Sequence, residues 1–458
     1  MIKTIKPFFT AVIGCAVLGL LFSVPAQAKV LDIQEVTSKG GMSAWLVEDH
    51  SLPIIALRFA FQKAGAAYDP EDKQGLALLV SNDMDEGAGD LPSQQFQKLL
   101  DDNSITLSFS SGRDAYQGTL QTLTRHKDLA FKLLTMALTQ PRFDEEPLER
   151  MRAANLARVK SAVSDPNWMA ARLTNDVAYA GHPYALNAGG TLTTLKNITT
   201  DDLREFVKTR LAKDRLKIAV VGDITAAELK TLLDQVFGAL PDSLPVKDLA
   251  QWKVQNGGKT YLYKQDIPQT VIRILQPGIA RDDPDFQKAQ VMNYIFGGGG
   301  FGSHLMETIR EKRGLTYGIY SGLDDMRALN SLIITSSTKN ETAGELLSLT
   351  RKVMAEMKTT PVSEDELDRA KSVMIGALPL QLTSSSGIAD MLIGLMIDDL
   401  PVDYLDKREA AIRAVTVKDV EDMAKRLLEP DHLTTILVGD PDKSVKVDKT
   451  VDRLPNVE

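Results

Sequence analysis

A long internal repeat, offset by 217 residues, is the feature that most limits what this 458-residue chain can fold into. Thr199 precedes an amphipathic run with an acidic first turn, and an apolar β-rich run ending in Gly222-Asp223 follows. Thr416 precedes a second such run, and Gly439-Asp440 closes the matching β segment. Each Thr is placed as a helix N-cap, and each Gly-Asp reads as the turn after a buried strand. Earlier segments echo at offsets of 213–219. Trp45-Leu-Val, Pro53 and the strand 54–61 parallel Tyr261-Leu-Tyr, Pro268 and the strand 271–275. Gly65, Asp69 and Pro70 lead into a helix at Gln74, as Gly278, Asp283 and Pro284 do near Phe286. Phe143-Asp-Glu-Glu and Val362-Ser-Glu-Asp-Glu each open a long helix. Mixed strands and helices in this order predict an α+β half duplicated once.

The boundaries follow from where both periodicities stop. Pro241, Pro245 and the Asn256-Gly-Gly turn mark 241–258 as a linker between a first domain, 29–240, and a second, 259–458. Two domains of roughly 200 residues can each bury a core. A formal charge of −8 excludes the basic face that tracking nucleic-acid phosphates requires. Residues 1–28 read separately. Lys3 and Lys6, an apolar run from Phe8 to Val24 and Ala26-Gln27-Ala28 form a cleavable export signal, not a stable membrane span, which predicts a periplasmic protein. Val12-Ile13-Gly14-Cys15 loosely matches a lipoprotein box, but the apolar run continues beyond Cys15, which argues against anchoring there. Cys15 is the single cysteine, so the domains are expected to be stable without disulfides.

The stretch Ala64-Gly-Ala-Ala-Tyr-Asp-Pro-Glu-Asp-Lys-Gln-Gly75-Leu-Ala resembles the lead-in to the zinc helix of pitrilysin/insulinase peptidases, in their processing-peptidase-like branch. His182-Pro-Tyr, Gly297-Gly-Gly-Gly-Phe and Arg310-Glu-Lys-Arg-Gly-Leu-Thr-Tyr317-Gly resemble later landmarks of that family. The resemblance implies a duplicated αβ roll whose homologous halves pack as a clam shell. In active members His-x-x-Glu-His puts two imidazoles on one helix face to bind zinc, with the Glu beside them as base, and a Glu from another helix completes the site. Carried over position by position, the histidines fall on Leu78 and Asn82, the base on Ser81 and the distal Glu on or near Arg158. No ligand is kept, so neither zinc nor any other cofactor is expected on this chain.

Substitute ligands are not evident either. His50, His126, His182, His304 and His432 are nowhere paired at helical spacing. Asp83, Asp85 and Glu86 are spaced for a helix end and turn, which predicts a solvated acidic loop. Gly297 to Gly300 lacks a following Gly-Lys-Ser/Thr and reads as a flexible turn that lets the backbone approach another surface. Arg310 and Tyr317 are different. Gly314 is expected to end their helix and release a strand over 316–321. From the residues alone they are a surface cation and a half-buried strand aromatic. The family resemblance implies instead that they bind substrate, the guanidinium gripping a carbonyl or carboxylate and the phenol meeting an oxyanion.

Two functions remain open at this level. One is the catalytically incomplete subunit of a two-chain metallopeptidase, supplying Arg310 and Tyr317 to a homologous His-x-x-Glu-His partner that carries the zinc and hydrolyses peptides. The other is a non-enzymatic peptide-binding or scaffold protein derived from the same family.

Overall fold

The computed structural model describes residues 29–454 and 457–458; the export signal expected over 1–28, including Cys15, lies outside the described residues. In the first half, strands β1 (Gln34–Thr37), β2 (Ser43–Glu48), β3 (Ile54–Gln62), β4 (Thr106–Ser111), β5 (Ala115–Leu123) and β6 (Leu216–Gly222) form one sheet. Its order is β1-β2-β6-β3-β5-β4, with only β2 and β6 parallel. In the second half, β7 (Thr260–Lys264), β8 (Gln269–Pro277), β9 (Ile319–Met326), β10 (Leu329–Lys339), β11 (Thr434–Gly439) and β12 (Lys449–Val451) form the other. That order is β9-β10-β8-β11-β7-β12. Five strands therefore repeat one permutation, β2-β6-β3-β5-β4 against β7-β11-β8-β10-β9, and β7 is again parallel to β11. The two six-stranded sheets differ at the outer strand, where β1 runs antiparallel to β2 and β12 parallel to β7.

The repeated residues do repeated work. Thr199 and Thr416 each accept from the backbone three residues on, and Asp202 and Asp419 reach back, completing two capping boxes. Gly222 and Gly439 both lie at positive φ, and a Cβ on Gly222 would come within 2.0 Å of the Ile54 carbonyl oxygen.

Both faces of each sheet carry helices, and the two halves exchange a helix to do it. On β3, Ile55, Leu57, Phe59 and Phe61 enter the core made with the first half's own helices, among them Leu76–Asp83 and Ala226–Phe237. Ala56 and Ala60 face the other way, and small Ala219 joins them. The helix that lies on these alanines is Ser385–Ile397, from the second half, through Ile388, Ala389, Leu392, Ile393 and Met396. Conversely, helix Pro166–Ala178 of the first half lies on β8 and β11 of the second sheet. Met169, Ala170, Leu173 and Val177 meet Val271, Ile436 and Val438 there. Alternation predicts that one strand face is buried by local helices; the reciprocal cover makes the second face apolar as well.

Polar contacts fix the halves together. Tyr184 donates its hydroxyl to Asp114 at 2.5 Å and accepts the Ala328 N–H at 3.1 Å. Segment 241–258 holds no helix or strand, yet Trp252 N–H donates to the Ala328 carbonyl at 2.7 Å, and His182 Nε2 meets the Ala250 carbonyl at 3.1 Å. The His182-Pro-Tyr segment thus anchors the linker and the β9–β10 hairpin. Among the described residues no single helix is long and apolar enough to cross a membrane.

Candidate functional site

Helix Leu76–Asp83 starts where Gly75, at φ +89, lets the chain pass Gly190 so closely that a Cβ would lie 2.8 Å from its Cα. Asp69, buried in the lead-in, accepts the Ala77 N–H at 3.1 Å and the Arg210 guanidinium at 2.8 Å. Burial nevertheless holds its carboxyl up at about 6 against the pull of Arg210. The lead-in motif is therefore intact as a helix-positioning device, with a carboxylate at the positive helix end.

What the helix presents is not a metal site. Ser81 turns its hydroxyl back onto the Leu78 carbonyl at 2.8 Å. Asn82 accepts a 2.9 Å bond from the side-chain amide of Asn155, on helix Glu145–Ala162, and Asn155 in turn accepts from Arg158. Arg158 itself is exposed, whereas Asn155 is buried. Helices Leu76–Asp83 and Glu145–Ala162 are joined here by neutral amides, with a guanidinium behind them. Neither an imidazole nor a carboxylate is in this chain of contacts, so the donor set does not fit zinc. Asn155 was not singled out by the sequence, because only the distance across two helices reveals it. Among the described residues no cluster of three His, Cys, Asp or Glu side chains is arranged to hold a metal.

The acidic cluster after this helix departs from expectation. It is not a solvated loop: Asp83 has no exposed surface and Glu86 is 8% exposed. Glu86 pairs with Arg150 at 2.8 Å, but neither Asp83 oxygen has a partner, and burial with the nearby Glu86 charge pushes its carboxyl to about 7. The packing of helix Leu76–Asp83 against helix Glu145–Ala162 closes over these residues, which no local pattern foretells.

In the second half, the glycine run is helical rather than a flexible turn. Wide π-type turns span Tyr294–Gly298 and Met306–Glu311, with a tight turn at Gly300–Gly302 between them. A Cβ on Gly297 would sit 2.5 Å from Ser321 Oγ, so these glycines let the helix press onto β9. Ser303 and His304 part company: Ser303 Oγ donates to the Gly300 carbonyl, and His304 Nε2 meets Glu366 at 2.6 Å. Gly314, at φ +64, does end the helix. The strand begins at Ile319 rather than 316, because the Thr316 hydroxyl bonds Gly318 and the Ser337 carbonyl and holds that segment in a tight turn.

Arg310 and Tyr317 are brought together through the backbone. Arg310 Nε donates to the Tyr317 carbonyl at 3.0 Å, its guanidinium lies 4.4 Å from the Phe301 ring centroid, and Glu311 pairs with it. The Tyr317 side chain is free: the residue is 88% exposed. Among the described residues no hydrogen bond or ion pair links either residue to Leu78, Ser81, Asn82 or Arg158. Asn167, at the start of helix Pro166–Ala178 in the first half, shares a groove with Tyr317.

Two family descriptions match this chain: Insulinase (Peptidase family M16) over residues 57–191, and Peptidase M16 inactive domain over residues 197–374. The chain belongs to the M16 peptidase family. The non-peptidase homolog YmxG of Helicobacter pylori is 26% identical over 91% of this chain and 96% of its own length. A Bacillus subtilis relative, an uncharacterized zinc protease also called YmxG, is 20% identical over 88% and 98%. The crystal structure of a peptidase M16 inactive domain from Pseudomonas fluorescens superposes with a TM-score of 0.84 at 28% identity, covering 91% of this chain and all of that one. As an M16 protein the chain is of the inactive type.

Proposed function

We propose that this chain is the substrate-binding subunit of a two-chain, exported M16 peptidase, working beside a His-x-x-Glu-His homologue that holds the zinc. One observation supports the reading: Arg310 is anchored on the turn that leaves the Tyr317 side chain almost fully exposed. Arg310 is fixed by a carbonyl, a carboxylate and an aromatic face, while the Tyr317 phenol stands in solvent with no hydrogen-bond partner among the described residues. At 88% exposure on an anchored turn, the Tyr317 phenol is available to a ligand outside the chain. Across an interface the phenol donates to the oxyanion that develops when a peptide carbonyl is attacked, and the guanidinium orients that carbonyl. Zinc and the attacking water belong to the partner.

Peptide hydrolysis by the mature chain, alone and mixed with the His-x-x-Glu-His homologue of the same cell, tests this. Activity is expected only in the mixture, and Tyr317→Phe or Arg310→Ala is expected to lower it 10²-fold or so, the usual scale for one lost oxyanion donor. Mixtures that associate and remain silent, or activity indifferent to both substitutions, would refute the assignment. The second reading, a peptide-binding scaffold, draws support from the non-peptidase name of the Helicobacter pylori relative. It is distinguished by peptide binding without cleavage in that same mixture.

A further inference from the structure

A groove of about 350 Å³ runs over the face of the second sheet that helix Pro166–Ala178 leaves uncovered. Arg273 of β8, Tyr320 of β9, Thr335 and Ser337 of β10, with Tyr317 and Asn167 at the rim, line it. All but one of these side chains offer a neutral hydroxyl or amide. Arg273 alone is charged, and its position is unusual. Its Nε is buried without a hydrogen-bond partner, and among the described residues it makes no ion pair. A guanidinium carries five N–H donors in a planar fork, and leaving one desolvated and unpaired is costly.

The surroundings do not neutralise it. Four residues beyond Tyr320 on the same strand, Asp324 is the carboxylate that acts on Arg273, and it acts on Arg113 as well. Arg113 gives its own hydrogen bond to the Tyr184 carbonyl at 2.7 Å. Arg172, the next guanidinium, is satisfied by Asp176 at 2.7 Å. Two guanidinia thus share Asp324, and of the two it is Arg273 that borders the polar groove without an ion pair among the described residues.

We infer that this groove is a carboxylate-binding subsite, in which Arg273 receives a peptide's free C-terminus or acidic side chain while the Tyr317 and Tyr320 hydroxyls and Asn167 hold the adjoining backbone. The fork geometry suits a carboxylate bound through both oxygens. The subsite lies next to the Arg310/Tyr317 turn, so a peptide seated at Tyr317 extends into it. The inference rests on the reading of this face as peptide-binding, but it concerns this chain alone and needs no partner.

Fluorescence anisotropy of the purified mature chain, without any second chain, provides the test. The probe is a pool of random ten-residue peptides labelled at the N-terminus, made as the free acid, as the C-terminal amide, and as the amide with Glu in the last position. The free acid is expected to bind at least tenfold tighter than the amide. Arg273→Met is expected to remove that difference, Arg273→Lys to retain part of it, and Asp324→Asn to widen it by removing the competing carboxylate. Glu-amide binding at the level of the free acid assigns any carboxylate, and binding at the level of the plain amide assigns the terminus. Equal binding of acid and amide by the unmodified chain overturns the inference, as does a preference that survives in a folded Arg273→Met protein. The mixed-chain hydrolysis assay reads separately: cleavage indifferent to amidation sinks the subsite and leaves the two-chain reading standing. Acid-selective binding with silent mixtures does the reverse.

Discussion

Asp83 sits where helix Leu76–Asp83 ends, among carbonyl oxygens that already make a helix C-terminus negative. Its carboxyl binds a proton more tightly in the folded chain, at about 7, than in the unfolded chain, near the ordinary 3.8. Between those values the native state holds more protons, so stability contributed by the protonated form is full below about pH 4 and is lost as pH rises toward 7. Asp83→Asn keeps the shape and removes the charge. It is expected to raise the melting temperature at pH 8, by an amount on the order of a few kcal/mol in stability, and to change little at pH 4.5. An equal shift at both pH values would show that the carboxyl is not titrating in this range. Asn155 belongs to the same scale. The sequence shows that the metal ligands are missing, but the amide that fills the gap emerges only when Asn82 is found bonded to it.

At the scale of single elements, local chemistry reads through clearly. Thr199 and Thr416, with Asp202 and Asp419, specify two helix starts from four residues, because a side-chain oxygen three positions from a matching acid satisfies orphan N–H groups whatever the rest of the fold does. Thr416→Ala is expected to cost about 1 kcal/mol, measured by urea unfolding; a loss below about 0.3 kcal/mol would mean that packing of Val420, Met423 and Leu427 sets that helix start instead. Less was legible where an element's partner lies far along the chain. Helices Pro166–Ala178 and Ser385–Ile397 announce apolar faces, yet nothing in Leu173 or Leu392 says which sheet each will meet. The alanines on β3 are the missing cue: small residues on a strand's second face make room for a close helix, but the pattern alone does not identify it. Likewise the glycines 297–300 predict a close backbone approach but not its partner, because Ser321, the group that requires a bare backbone there, is remote in sequence.

For the whole molecule, the exchange of helices ties the stability of each sheet to the other half. Leu392 is fully buried against the first sheet and Leu173 almost fully against the second. Either residue changed to Ala is expected to cost roughly 2–5 kcal/mol. Because each helix is covalently part of the opposite half, both substitutions should lower one shared unfolding transition in calorimetry. Two separate transitions, each moved by only one of the substitutions, would contradict that coupling. The tail adds another crossing, with Val457 buried in the first core and its carbonyl accepting the Leu192 N–H at 3.0 Å.

The helix exchange also sets a clock on synthesis. Chains emerge from their N-terminus, and N-terminal units ordinarily fold first. Here β6 completes the first sheet at Gly222, but the helix laid over Ala56, Ala60 and Ala219 is not made until Ser385, some 160 residues later. Once the chain is past helix Ala226–Phe237, the nascent first half has a core complete but for Leu454 and Val457 of the tail, and a bare apolar sheet face. Its last folding step awaits nearly the end of the chain, so a ribosome stalled in the second half leaves behind a sticky fragment rather than a free-standing domain.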